Sequence, residues 1–112
     1  MNTLNFTTKK GDTFNEVPFQ INKDGIPIDL TGAVIHMQLR KSPSTQVYLN
    51  LTSVANAGIT ITSALTGAFK INQMIMTLEA NVYLYDIEIT FPSGEVRTWI
   101  SGQFTVVNDI TR

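Results

Sequence analysis

Apolar and polar residues alternate with a period of two along most of this chain, the pattern that places apolar side chains on one face of a β-strand. The alternation is sharpest at Ile35, Met37 and Leu39, with His36, Gln38 and Arg40 pointing the other way. It shows at Leu4 and Phe6, and again at Val17, Phe19 and Ile21. It returns at Val47, Leu49 and Leu51, at Ile59 and Ile61, and at Phe69 and Ile71. Tyr83, Tyr85, Ile87 and Ile89 form another set, followed by Val96, Thr98 and Ile100, and a last strand through Phe104 and Val106. The expected core is Phe19, Ile35, Met37, Leu39, Phe69, Tyr85, Ile87, Ile89 and Phe104.

Turn residues punctuate these runs. Lys23-Asp24-Gly25 and Pro92-Ser93-Gly94 read as tight turns, where glycine supplies a positive φ. Thr31-Gly32, Ser42-Pro43-Ser44, Asn56-Ala57-Gly58 and Thr66-Gly67 mark other breaks. Seven to nine short strands, spaced by roughly ten residues, predict a sandwich or barrel rather than a parallel sheet, and the expected fold is an all-β, immunoglobulin-like antiparallel β-sandwich with at most one short helix. Gln73 to Asn81 stands apart: good helix formers without strict alternation predict a strand end and one helical turn near Met74 to Ala80, leading into the Tyr83 strand. Leu78, Ala80 and Tyr83 fit a tyrosine corner, in which the strand-starting hydroxyl bonds back to upstream backbone. An ordinary core tyrosine fits equally well.

Composition narrows the function classes. At 112 residues and 43% hydrophobic content, the chain is expected to form one domain, residues 1–112, with a core of its own. Met1-Asn2-Thr3-Leu4-Asn5 lacks the basic and apolar regions of a signal peptide, and no apolar run approaches membrane-spanning length, so synthesis in a cytoplasm without membrane insertion is expected. The absence of cysteine removes disulfides, thiol nucleophiles and zinc-thiolate sites. A net charge of −1 with no basic patch argues against nucleic acid as a partner.

Candidate chemistry is sparse. His36, the single histidine, sits on the polar face of its strand, and no Asp or Glu recurs near it at ligand spacing. Asp86 and Glu88 share one strand face, which reads as a solvated outer face rather than a catalytic carboxylate pair. Asp24 and Asp29 flank Gly25-Ile26-Pro27-Ile28, where turn chemistry explains both acids better than calcium. Gly-x-Ser-x-Gly, phosphate-loop and His-Glu-x-x-His motifs are missing. Asn5-Phe6-Thr7 and Asn50-Leu51-Thr52 match the glycosylation sequon, an accidental match without a secretory signal. No catalytic residue, cofactor or metal is therefore expected. Trp99 is the only tryptophan; one register buries it, and the other exposes it as an interface anchor or a sugar platform.

Several segments, taken in order, carry a resemblance. They are Lys10-Gly11-Asp12-Thr13-Phe14, then Asp24-Gly25-Ile26-Pro27-Ile28-Asp29-Leu30-Thr31-Gly32, then Ile35-His36-Met37-Gln38-Leu39-Arg40. Gly67-Ala68-Phe69-Lys70-Ile71 follows, then Val82-Tyr83-Leu84-Tyr85-Asp86-Ile87-Glu88-Ile89 and Gly102-Gln103-Phe104-Thr105-Val106. From about Thr8 to Arg112 the chain resembles the N-terminal β-domain of phage baseplate upper proteins and stand-alone relatives of that domain. The resemblance implies a virion structural protein, made in the bacterial host cytoplasm and acting by packing against other phage structural proteins, in many copies of a symmetric assembly. Baseplate upper proteins continue into long receptor-facing regions, whereas this sequence ends at Arg112, so a tail or baseplate adaptor, connector or decoration subunit is the expectation. The alternative is a carbohydrate- or receptor-binding module that uses Trp99 and Tyr48 as stacking platforms.

The surface agrees with packing. Only 15% of residues are charged, which leaves faces that desolvate at low cost and edge strands with few guarding charges. Contacts are expected at the two termini, through Leu4 and Phe6 at one end and Ile110 to Arg112 at the other, and at Trp99. Both ends carry apolar side chains, and both terminal segments are short enough to dock on a neighbour as added strands.

Overall fold

Thirteen β-strands make up the described part of the chain, residues 2–41 and 46–108 of a computed structural model. Eight have four or more residues: β2 (Phe6–Lys9), β4 (Val17–Gln20), β7 (Val34–Lys41), β8 (Val47–Thr52), β9 (Ile59–Ser63), β10 (Ala68–Ile71), β12 (Asn81–Thr90) and β13 (Val96–Val107). The other five are two-residue strands: β1 (Asn2–Thr3), β3 (Thr13–Phe14), β5 (Asn22–Lys23), β6 (Ile26–Pro27) and β11 (Met74–Ile75). The large sheet runs β1-β13-β12-β7-β8, with β2 also on β13. A second sheet, β4-β10-β9, faces it, and the pairs β11-β3 and β5-β6 complete the set. The Ser42-Pro43-Ser44 break lies outside the described residues.

The period-two pattern explains the packing. On β7, Ile35, Met37 and Leu39 are buried, while His36, Gln38 and Arg40 take the outer face. Across the sheet Tyr83, Tyr85, Ile87 and Ile89 of β12 lie in register with Lys41, Leu39, Met37 and Ile35, so the inner faces form a continuous apolar layer. Ile59, Phe69 and Ile71 close the core from the small sheet. Of the expected core only Phe19 is half-buried; it stacks on Phe69 with ring centroids 5.1 Å apart.

Two local interactions fix the approaches to central strands, one before β12 and one before β7. The Tyr83 ring is buried, and its hydroxyl donates to the Glu79 carbonyl at 2.7 Å, so this residue is both a core ring and a tyrosine corner. Earlier, the Asp29 carboxylate accepts from the Thr31 amide at 2.8 Å and the Thr31 hydroxyl at 2.6 Å. Gly32 follows with φ +76°, a conformation open to glycine at little cost, and this turn buries Leu30.

Three expectations are corrected. No α-helix lies among the described residues; the helical turn expected near Met74 to Ala80 is instead β11, paired with β3, followed by irregular chain with bends at Leu78 and Ala80. Met76 is buried, with Met74, Leu78 and Ala80 half-buried, while Ile75, Thr77 and Glu79 are exposed. The alternation is therefore present, and the outward Ile75 hides it. The only helical pieces among the described residues are two three-residue 3-10 turns, Val54–Asn56 and Ala64–Thr66. The sandwich is also not wholly antiparallel, because β1 and β2 run parallel to β13. Last, Val96 and Thr98 do not share the buried face of Ile100. The register shifts between Ile87 and Glu88, which oppose Ile100 and Thr98, so Trp99 is an extra, bulged residue.

Candidate functional site

The N-terminal segment is already docked as an added strand, on its own sheet. Phe6 is half-buried in an aromatic cluster, 5.8 Å from the Phe14 ring and 5.6 Å from those of Tyr85 and Phe104. Leu4 keeps 40% of its surface exposed, but its backbone is held: its amide donates to Ser101, and its carbonyl accepts the Tyr85 hydroxyl. Asn5 Oδ1 accepts the Gln103 amide at 2.9 Å. Gly102 makes this approach possible, since a Cβ there would collide with the Leu4 carbonyl. Burial pushes the Tyr85 hydroxyl up to about 12. Ile110 and Arg112 lie outside the described residues.

On the outer face of the large sheet, His36, Gln38, Asn50, Asp86 and Glu88 line a shallow polar concavity of about 150 Å³. Asp86 and Glu88 point away from the core, as their spacing predicts. Register brings Glu88 beside His36 and Asp86 beside Gln38, a proximity across strands that linear spacing could not reveal. Arg40 donates to Gln38 Oε1 at 2.7 Å, and Gln38 Nε2 lies 3.4 Å from Asn50 Oδ1. Among the described residues no group of three or more His, Asp or Glu is arranged to hold a metal ion. Asp29 serves its turn, and its hydrogen bonds from Thr31 hold its carboxyl below the usual range. Asp24, with φ +54°, forms the tip of the β5-β6 hairpin.

Trp99 is half-buried. It lines a pocket of about 240 Å³ with Ile28, Phe91, Lys23, Glu95 and Arg97, at the end of the sandwich where the β5-β6 and β12-β13 hairpins meet. Arg97 donates to Glu95 Oε2 at 3.0 Å. That bond, then the charge of Arg97, and finally Lys23 hold the Glu95 carboxyl below its ordinary range. Tyr48 lies on β8, with Lys41 Nζ 4.6 Å from its ring centroid. Three strand spacings, about 14 Å, separate β8 from β13. Trp99 and Tyr48 therefore do not form a joint stacking platform.

The sheets end on β8 and β9, which are linked by a short 3-10 turn and touch through a bridge between Thr52 and Gly58. Neither Val-Tyr-Leu-Asn-Leu-Thr of β8 nor Ile-Thr-Ile-Thr-Ser of β9 contains a charge or a proline. Next to them lies an apolar groove of about 280 Å³ lined by Leu49, Leu51, Met74, Met76 and Leu78 among others. Sequence reasoning noted the low charge without locating these edges, because which strands are terminal depends on sheet order.

No family model matches this sequence, and no curated protein matches it either. Among solved structures it is similar to CopC from Methylosinus trichosporium OB3b, at 10% identity and a TM-score of 0.49, over 92% of this chain and 85% of that one. It is similar to murine CRIg at 14% identity and a TM-score of 0.37, over 94% and 92% of the two chains. A family 123 glycoside hydrolase from Clostridium perfringens matches at 18% identity and a TM-score of 0.40, over 100% of this chain but 24% of that one. None of these likenesses carries a site residue across.

Proposed function

We propose that this domain is a structural subunit of a bacteriophage particle, a tail or baseplate adaptor, connector or decoration part acting by packing against other subunits. The observation that carries the reading is the pair of uncharged, proline-free edges on β8 and β9, side by side at one flank of the sandwich. Exposed edges are a hazard that proteins blunt with charge, proline or bulges, unless a partner covers them; these two carry one bulged residue each, Tyr48 on β8 and Thr62 on β9, but neither charge nor proline. Strand addition satisfies edge N–H and C=O groups, and alternate side chains set the specificity. The segments that carry the phage resemblance also support it, since they build the rigid turns and central strands of the scaffold, such as the Asp29-Thr31 turn.

The test is particle composition combined with an edge substitution. Purified particles should contain this protein in a copy number matching tail, portal or capsid symmetry. Thr62→Lys places a charge on an exposed position of β9; it should leave stability within about 0.5 kcal/mol and prevent incorporation. Normal particles forming without the protein would end this reading.

A further inference from the structure

The geometry points to the pocket around Trp99 as a subsite for one hexuronate residue of an acidic polysaccharide. The floor is rigid and apolar: Trp99, Phe91 and Ile28 are half-buried and packed against the core, so they offer a fixed surface to the C–H face of a sugar ring. The β-bulge makes Trp99 an extra residue in its strand, a device that re-aims a side chain and is frequent beside binding sites. At about 240 Å³ the pocket falls below the roughly 300 Å³ at which drug-sized pockets begin. That volume suits a single ring.

The rim sets the charge class. Lys23 and Arg97 supply two cations against the one carboxylate of Glu95, so the rim is net positive. Arg97 has five N–H donors, and its bond to Glu95 uses one. Arg97 and Glu95 each expose about half of their side chains, at 50% and 52%, so their pairing is weak enough to rearrange around a ligand carboxylate. Glu95 in turn accepts from ring hydroxyls. A ligand with an apolar ring face, hydroxyl donors and one carboxylate meets all three demands; a neutral sugar leaves the cations unanswered, and a fatty acid leaves the Glu95 acceptor unanswered. The subsite is independent of the packing role, since it lies at a hairpin end and not on the β8 and β9 edges.

Trp99 is the only tryptophan, so its fluorescence reports on this pocket alone. Full-length protein would be titrated with galacturonate or glucuronate oligomers, with neutral oligomers of equal length, and with acetate, all at fixed ionic strength. The expected result is a saturable change with a hexuronate oligomer, at least tenfold weaker binding of its neutral counterpart, and no change with acetate. Arg97→Gln and Lys23→Gln should each weaken binding at least fivefold with an unchanged melting temperature. No saturable response, equal binding of neutral oligomers, or a response reproduced by acetate would overturn the proposal. Thr62→Lys separates the two readings: it should leave the fluorescence titration intact while particle incorporation is lost.

Discussion

Ile87 has no exposed surface and sits where β12 is flanked by β7 and β13, so its removal leaves a cavity that neighbours on two strands cannot fill. Ile87→Ala should cost about 2–5 kcal/mol in denaturant unfolding. Tyr85 illustrates a different dependence. Its hydroxyl is held protonated by burial, with a folded value of about 12 against about 10 in an unfolded chain. Above pH 10 the unfolded state releases this proton and the folded state does not, so the stability it contributes is complete below pH 10 and lost as pH rises toward 12. Denaturant midpoints of the native protein and Tyr85→Phe, measured from pH 9 to 12, should show a steeper decline for the native protein. Both residues were legible in the sequence as members of an alternating strand. The partner of the Tyr85 hydroxyl was not, because Leu4 lies 81 positions away.

At the scale of elements, the N-terminal strands depend on a position with no side chain. Gly102→Ala would push against the Leu4 carbonyl and loosen β1 from β13. The expected outcome is faster amide exchange and proteolysis within residues 2–9, with protection of β7 and β12 retained. The strands themselves were readable wherever one face is buried and the other wet, as on β7. Two segments misled for physical reasons. In residues 74–80 an apolar residue points outward and masks the period, and the pairing of β11 with β3 decides the conformation over helix propensity. In β13 one bulged residue inverts the faces on either side of it, and no residue type announces a bulge at Trp99.

The whole molecule is a sheet of six strands closed against a sheet of three, and its first residues act as an edge cover. Deleting residues 1–7 would strip Phe6 from the aromatic cluster and bare the β13 edge. The truncated protein should lose several kcal/mol of stability, since Phe→Ala alone costs about 3–5 kcal/mol at a packed site, and should associate in sedimentation velocity as concentration rises. Amino-acid order alone determined the all-β class, the principal strands, most of the core and the Asp29 and Asp24-Gly25 turns, because each depends on neighbours within a few positions and on a fixed two-residue period. Which strands are terminal, that the first strands run parallel to the last, that Glu88 lies beside His36, and that Trp99 shares a pocket with Lys23 and Arg97 were decided only by tertiary structure. Each of these joins residues far apart in the chain through sheet order and register, which burial of the whole core selects and no local pattern encodes.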